Sequence, residues 1–568
     1  MPTSASILDF DVEREIQDIL KLCGTNMASI SVRYMQRETN AVQMEHGLRT
    51  LRRMEEAGQL EYTITSNGDQ VFHIASITKI LVAVAVFIAV EARAKDRVPN
   101  NPYAKFRNIQ NEPLTKLYNR HSTTKIGGLP GDPTMYNLIV HHKGLASSNH
   151  RLLAPDGTPI MTLAELREDL IRPIARDAAY IDVKEPWTRY SNTNYAIIAM
   201  TIEALWGRGL DSFMYETLFA HLGMKSTSIG FSTDRGAGSH PWVVDSEDNL
   251  HQIPELRYKA DGAEAGALGA YSTTQDIDIF FKFLLDTFHG TEIIPGFDLD
   301  VLGKILQMTN KQSGMVRFTP LGLYTTLDSS VIGSQSSNML QFPDDVFSTY
   351  PVLPGSSGEE MPTFHMVGSA IGCNCATAFY PSQNKSNHAI VVLTDTSGPV
   401  DSSDHILRLL LRRMAGLQYS HHISHSLWRP KSVRDMVEQA KSGAMQKWKE
   451  DTQKDMELLE KAPKIHKNIT GVFKGDGFSQ RLHISTTTDG KACINVSGSS
   501  TPYKSKTFGL IWIDQNSVKV CIPPHLSIDC LGNGDWSDLT FAVKSEGFLV
   551  TKLTRKTESG EDHYLRFS

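Results

Sequence analysis

The sequence FHIASITKILVAVAVFIAVEARA, residues 72–94, is the stretch that most strongly constrains the fold. Its middle, residues 80–90, consists of eleven consecutive apolar residues. Such a run is too short to cross a bilayer, which needs about 20 residues. It has the length of a helix that is buried on all sides inside a domain. The sequence therefore predicts a central buried helix that begins near Ser76.

Ser76 and Lys79 form an S-x-x-K pair at the start of this predicted helix. Residues three apart lie on one face of a helix, one turn apart. Burial of the ammonium would lower the pKa of Lys79, so that the amine could accept the proton of the serine hydroxyl. The motif alone is weak, because the polar residues 382–385 contain a second copy. Taken alone, the pair is better explained by a helix N-cap at Ser76 and a solvated first-turn residue at Lys79.

The bulk properties describe an ordinary globular protein with more than one domain. The chain has 568 residues, which exceeds one hydrophobic core and predicts two or three domains. A net charge of −6 argues against nucleic acid or an acidic membrane as the partner. The first residues lack the basic and apolar regions of a signal peptide. The six cysteines show no spacing of a zinc site or a disulfide framework. We therefore expect a cytoplasmic protein with reduced thiols and no membrane span.

The N-terminal three quarters of the chain mixes helical and strand patterns, which predicts an α+β fold. The predicted helices cover residues 12–23, 195–206 and 404–414, and the predicted strands cover residues 30–34, 62–64 and 388–394. Residues 95–133 are polar and show little periodicity, so an irregular surface insertion is expected there.

The pattern changes to short strands separated by turn residues after a charged helical linker. The predicted strands are residues 481–486, 492–496, 508–513, 518–522, 539–543, 548–553 and 564–567. This spacing is typical of an antiparallel β-barrel. The sequence thus predicts a catalytic domain over residues 1–430, a helical linker over 431–464 and a barrel over 465–568.

Three motifs follow one another in an informative order: Ser76-x-x-Lys79, Tyr190-x-Asn192 and His365-x-x-Gly368. Their order resembles the serine β-lactamase and penicillin-recognising superfamily, and most of all class C β-lactamases, D-aminopeptidases and family VIII esterases. The segments HHKGL, YSNTNYAIIAMTIEALWG, LFAHLGMKST and GALGAYSTTQDIDIFFKFL resemble further family motifs in the same order. The resemblance implies a β-lactamase-like antiparallel sheet flanked by helices, plus an all-helical lobe, followed by a lipocalin-like C-terminal barrel.

The resemblance also implies roles in catalysis for three residues. Ser76 would attack a carbonyl carbon and become acylated. Lys79 would be its base, and Tyr190 would be a second proton carrier. Without the motif, Tyr190 is explained as an aromatic residue that packs against the base of the next helix.

Three further residues are implied to bind the substrate. Asn192 would hydrogen-bond Lys79 and the substrate, with a helix cap as the alternative. The backbone N–H groups of Ser76 and Gly368 would form an oxyanion hole. His365 would orient the substrate, with a buried structural histidine as the alternative. The third motif departs from the family pattern, which has Lys or His, any residue, then Gly, because Val367 occupies the third place here.

No metal or cofactor is predicted. The residues His421, His422 and His425 include a pair four apart but no third ligand, so we interpret them as part of a polar linker. Cys373 and Cys375 are interpreted as small buried residues rather than as a redox pair.

The predicted function is a serine hydrolase that cleaves an ester, thioester or amide of a small molecule through an acyl-enzyme on Ser76. One alternative is an acyltransferase or thioesterase that receives its acyl group from a carrier protein. A second alternative is a catalytically silent binding protein of the same fold. The sequence leaves the acyl group and the oligomeric state open, and predicts that the barrel supplies no catalytic residue.

Overall fold

The computed structural model forms two compact units. The first comprises residues 1–104, 214–255 and 270–446, and the second comprises residues 105–213, 256–269 and 447–568. The residues that the structure describes are 8–38, 41–56, 59–91, 102–129, 131–145, 149–171, 180–182, 190–232, 239–290, 294, 302, 317–318, 321, 324–326, 336, 338, 363–381, 387–414, 433–460, 468–476, 478–488, 490–498, 505–523, 526, 540–557 and 560–567.

An eight-stranded antiparallel sheet forms the centre of the first unit. Its strands lie in the order Arg317–Phe318, Tyr324–Thr326, Thr363–Ala370, Cys373–Tyr380, Asn387–Thr394, Met27–Glu38, Ala41–Glu56 and Gln59–Thr65. One smaller sheet has the strand order Val71–His73, Ala270–Thr273 and Ser228–Ile229. Another has the strand order Thr396–Ser397, Trp242–Val244 and Leu250–Gln252.

The helices Phe10–Cys23 and Ser402–Met414 cover one face of this sheet, which we call the terminal-helix face. Successive side chains of a strand point to opposite faces. Val367, Ala376 and Ala378 are buried in the core on the terminal-helix face. The helix Val433–Glu460 adds Met436, Val437 and Ala440 to this core.

The helices Ile77–Glu91 and Thr274–Phe288 contact the opposite face, which we call the serine face. The residues from Ile80 to Ala89 are fully buried, which confirms the predicted central helix. Phe281 of the second helix contacts Phe379 of the sheet, and Asp278 accepts hydrogen bonds from Arg33.

The second unit contains a helical lobe and the C-terminal barrel. The lobe has the 3₁₀ helix Pro102–Asn108 at its edge and the α-helices Leu114–His121, Met135–Ile139, Asn149–Leu152, Leu163–Ile171, Asn192–Trp206 and Ala265–Leu268. The strands Lys143–Leu145 and Tyr180–Asp182 pair beside them. The helices Leu210–Met214, Tyr215–Phe219 and Ala220–Leu222 lead back to the first unit.

The barrel is closed, antiparallel and eight-stranded, as the C-terminal pattern predicts. Its strands are Gly471–Gly475, Gln480–Thr486, Ala492–Gly498, Phe508–Asp514, Ser517–Cys521, Thr540–Glu546, Leu549–Thr557 and Gly560–Arg566. Each strand pairs with the next, and the last pairs with the first. The first strand was not predicted from the sequence. The proposed boundaries at residues 430 and 464 stay a prediction.

Two segments differ from the sequence-based expectation. Ala41–Glu56 is a 16-residue strand that the sequence did not predict. The supposed irregular insertion contains the helices Pro102–Asn108 and Leu114–His121. Among the helices that the structure describes, none has the length and apolar character to cross a bilayer.

Candidate active site

Ser76 lies on a tight turn that is tied to a neighbouring strand. The preceding residue, Ala75, has a backbone φ of 42°, which is uncommon for a residue other than glycine and costs free energy. Thr78 holds this conformation, because its hydroxyl donates to the carbonyl of Ala75 at 2.6 Å and accepts from the N–H of Ala270 at 3.0 Å. The N–H of Ile74 donates to the carbonyl of Ala270. The turn therefore presents Ser76 in a fixed position at the start of the helix Ile77–Glu91.

The side chains of Ser76 and Lys79 contact each other inside the protein. Lys79 Nζ is 3.0 Å from Ser76 Oγ. Lys79 is fully buried, while Ser76 keeps 7% of its surface exposed. Burial lowers the pKa of Lys79 well below its ordinary value of 10.5, because the apolar surroundings disfavour the ammonium. This pair has the geometry and the electrostatics of a hydroxyl beside an amine that can accept its proton.

Gly368 brings the third motif against the serine turn. A Cβ atom placed at Gly368 would lie 2.6 Å from the carbonyl oxygen of Ile74 and 3.1 Å from the backbone nitrogen of Ser76. Neither backbone atom can move away as the end of a flexible side chain could. The strand Thr363–Ala370 therefore approaches the turn of Ser76 so closely that only glycine fits at this position.

The alternation of side chains places the other residues of the third motif. Val367 belongs to the core on the terminal-helix face, whereas Gly368 contacts the serine turn on the serine face. His365 shares the face of Val367, and Met366 shares the face of Gly368. The structure therefore does not bring His365 to the same face of the strand as Gly368. Met366 is fully buried.

His365 is held neutral by its surroundings. Burial, together with the nearby positive charge of Arg408, lowers the pKa of His365 to about 3. A neutral imidazole on this face cannot anchor a carboxylate by charge near pH 7. Its role in orienting the substrate stays a prediction, and the alternative of a buried structural histidine is consistent with this position.

Tyr190 and Asn192 lie in the second unit, at the start of the helix Asn192–Trp206. Ser191, between them, caps the helix by accepting from the N–H of Asn194. The ring of His141 lies 4.9 Å from that of Tyr190, and its Nδ1 accepts from the backbone N–H of Ser191 at 3.2 Å. His141 thus fixes the peptide beside Tyr190. The segment HHKGL is recognisable in the sequence by its resemblance to a family motif, but that resemblance predicts no role for His141.

Asn192 is oriented by a second asparagine. Its Nδ2 donates to Asn149 Oδ1 at 2.8 Å. Its Oδ1 is buried and has no hydrogen-bond partner among the residues that the structure describes. The Asn149 contact thus leaves the Asn192 oxygen available as an acceptor. Ser191 is the cap of the helix, so the N-cap alternative for Asn192 does not hold.

The sequence also matches a known protein family. Residues 56–414, more than half of the chain, match the model of the Beta-lactamase family. The chain belongs to the Beta-lactamase family. All six residues of the three motifs lie inside the matched range, and membership supports a serine hydrolase in the broad sense.

Several solved structures are similar to this chain. The octameric penicillin-binding protein homologue from Pyrococcus abyssi has 15% identity and a TM-score of 0.47, and covers 97% of this chain and 99% of its own. The D-amino acid amidase from Ochrobactrum anthropi SV3 has 16% identity, a TM-score of 0.45 and coverages of 72% and 99%. The beta-lactamase from Sulfitobacter sp. EE-36 has 14% identity, a TM-score of 0.43 and coverages of 72% and 97%. No curated protein matches the chain.

No group of three His, Cys, Asp or Glu side chains in the described ranges is arranged to hold a metal ion. The histidines at 421, 422 and 425 lie outside the described residues. Cys373 and Cys375 are buried free thiols, and both contact His73, by its ring and its carbonyl respectively.

We predict that Gly368→Ala destabilises the protein and disables Ser76. The new Cβ would overlap the carbonyl of Ile74, so the strand or the turn must shift, at a cost of about 1–3 kcal/mol. Thermal unfolding and the rate of labelling of Ser76 by a fluorophosphonate measure both effects. Gly128→Ala is the control, because nothing lies within 4 Å of a Cβ there. Equal behaviour of the two variants would contradict the close approach.

We predict that Lys79→Met raises the melting temperature at pH 7 and that this gain shrinks toward pH 10. Between the lowered pKa of folded Lys79 and its ordinary value of 10.5, the unfolded chain binds more protons than the folded protein. The free energy of unfolding of the native protein therefore rises with pH in this window, whereas methionine does not titrate. Melting curves at several pH values test this, with the exposed Lys282→Met as a control. A gain independent of pH would show that Lys79 is not desolvated.

Proposed function

We propose that the protein is a serine hydrolase that forms an acyl-enzyme on Ser76 and cleaves an ester, thioester or amide of a small molecule. The observation that carries this proposal is the buried contact between Lys79 Nζ and Ser76 Oγ. A lysine with a lowered pKa beside a serine hydroxyl is an activated nucleophile. A solvated first-turn lysine, the alternative from sequence, would be exposed.

In the first half-reaction, Ser76 Oγ attacks the carbonyl carbon while its proton passes to the neutral amine of Lys79. The carbonyl oxygen becomes an oxyanion, for which we propose the backbone N–H groups of Ser76 and Gly368 as donors. Collapse of the tetrahedral intermediate breaks the bond to the leaving group, which takes up a proton. In the second half-reaction, water attacks the acyl carbon, the ester bond to Ser76 Oγ breaks, the carboxylic acid leaves, and Oγ takes up the proton that the water gave up.

The proposed roles of Tyr190 and Asn192 are based on the second motif, Tyr190-x-Asn192. We propose that Tyr190 carries the proton to the leaving group and that Asn192 accepts a hydrogen bond from the substrate or from Lys79. The buried acceptor oxygen of Asn192 supports its part. The contact of Tyr190 with His141 supports a fixed ring position.

The third motif favours an acyl group that is recognised without a charged anchor. Neutral His365 and apolar Met366 supply no positive charge near pH 7 to hold a carboxylate. We therefore expect neutral acyl substrates to react faster than analogues with a carboxylate. A transferase that receives its acyl group from a carrier would form the same acyl-enzyme. The two functions differ in the acceptor, so the fraction of acyl groups transferred to added thiols or amines rather than to water distinguishes a transferase from a hydrolase.

We predict that a fluorophosphonate adds its mass to the peptide containing Ser76. The lowered pKa of Lys79 should make this serine react far faster than the other serines of the chain. Intact-mass and peptide mass spectrometry locate the adduct, with Ser76→Ala as the control. An adduct that forms equally in Ser76→Ala, or no adduct at all, would support the catalytically silent alternative.

We predict that Tyr190→Phe lowers turnover of an activated ester by about 10²–10⁴-fold, as expected for a general acid–base group. The fold should persist, because only a hydroxyl is removed. Tyr195→Phe is the matched control, because it removes a buried hydroxyl from the helix that follows Tyr190, one that donates to the carbonyl of Ile139. Steady-state kinetics and melting curves compare them. Similar turnover in both variants would refute the role of Tyr190.

A further inference from the structure

The barrel contacts the helical lobe at a short helix whose first residue contacts Asn192. This helix, Asn149–Leu152, has four residues and begins with the asparagine that orients Asn192. A single helical turn is not stable by itself, because one turn fixes several residues for very few hydrogen bonds. Its position must therefore be set by contacts from outside.

Those contacts come from two strands of the barrel. Asp562, in the strand Gly560–Arg566, accepts from His150 Nε2 at 3.0 Å and from the guanidinium of Arg151. Gln480, at the start of the strand Gln480–Thr486, donates through its Nε2 to the backbone carbonyl of His150. The barrel thus binds both side chains and the backbone of the middle of this helix.

The barrel side of the contact is itself rigid. Tyr564 Oη donates to Gln480 Oε1 at 2.6 Å, which fixes the direction of the Gln480 amide. Gln480, Asp562 and Tyr564 are buried. A glutamine whose oxygen accepts from tyrosine must present its NH₂ group to the other side, where the carbonyl of His150 lies.

The charges of the contact are compatible with burial. Burial alone would raise the pKa of Asp562, but the charge of Arg151 and the hydrogen bond from His150 outweigh it and lower that pKa. Burial lowers the pKa of His150 to about 3, so its neutral ring donates from Nε2. The contact therefore consists of one carboxylate, one guanidinium and one neutral imidazole, a paired arrangement that breaks at a high cost when one partner is removed.

We propose that Asp562 and Gln480 of the barrel are positioning residues for Asn192, and act through the helix Asn149–Leu152. The path is Asp562 and Gln480 to His150 and Arg151, then along the helix to Asn149, then to the amide of Asn192. The barrel in this view contributes no atom to the reaction, yet sets the direction of an acceptor oxygen in the second motif. The inference rests on the proposed function of Ser76 and Asn192.

The test combines a barrel variant with a lobe variant. Asp562→Asn should lower kcat/KM for p-nitrophenyl butyrate about tenfold, and Asn149→Ala should do the same, because a misplaced contact group slows a reaction without removing the nucleophile. The double variant should be no slower than Asn149→Ala, since both changes act on one path. Additive losses would overturn the proposal, and so would unchanged kcat/KM in Asp562→Asn.

A matched control separates positioning from general loosening of the barrel. Lys519, in the barrel strand Ser517–Cys521, donates to Asp455 Oδ1 of the helix Val433–Glu460 at 2.7 Å. Asp455→Asn removes the same charge at a barrel contact that involves neither the strand of Gln480 nor the strand of Asp562. It should lower the melting temperature, by less than Asp562→Asn because this ion pair is partly exposed, and leave kcat/KM within about twofold. An equal loss of activity in Asp455→Asn would overturn the proposal.

Two further measurements apply when a variant does not fold or when no substrate is turned over. Should Asp562→Asn not fold, Gln480→Ala replaces it, because that variant keeps the ion pair. Hydrogen exchange of the backbone amides of residues 149–153 reports on the helix without any substrate, and should become faster in Asp562→Asn and Gln480→Ala but not in Asp455→Asn. Unlabelled Ser76 in the native protein would refute the proposed function alone. Unchanged exchange would refute the positioning role alone.

Discussion

The structure of the first unit depends on one unfavourable placement, an amine buried next to a serine hydroxyl at the start of an apolar helix. Lys79 loses its hydration there, and burial lowers its pKa. Ala75 adds a strained backbone conformation. These costs are compatible with a stable fold because residues 80–89 of the helix Ile77–Glu91 are apolar and fully buried, so hydrophobic burial stabilises the whole element. Strain and desolvation concentrated at one turn are typical of a functional site.

The departure of the third motif from the family pattern follows from the geometry of a strand. Because side chains alternate between faces, a motif displaced by one residue presents the opposite set of side chains. Gly368 is fixed on the serine face by its contact with the turn of Ser76, so His365 must lie on the other face with Val367. Sequence spacing alone suggested that His365 and Gly368 act together. Because side chains alternate along the strand, His365 and Gly368 lie on opposite faces, and Met366 lies on the serine face.

The sequence was sufficient for features that are encoded locally and insufficient for those encoded by distant contacts. The apolar run of residues 80–90 and the regular strands of the barrel could be predicted from periodicity. The strand Ala41–Glu56 could not, because the alternation of Val42, Met44 and Leu48 is interrupted at Leu51 and its pairing with Met27–Glu38 supplies the register. The pair of Ser76 and Lys79 was readable from helical spacing. The Asn149 contact with Asn192 and the Asp562 contact with His150 were not, since 43 and 412 residues separate the partners.

Two buried basic side chains, Arg151 and Lys79, show how the surroundings decide whether such a group keeps its charge. At Arg151, burial alone would lower the pKa, but the Asp562 carboxylate and its hydrogen bond more than offset it, so the guanidinium stays charged and binds the barrel to the lobe. At Lys79, burial prevails and the pKa falls. A charge held by a carboxylate is suited to a fixed contact, because neither partner gives up its ionisation. A lysine whose charge is disfavoured can lose and regain a proton during turnover. The same desolvation thus accompanies a structural contact in one compact unit and, in the function we propose, an acid–base group in the other.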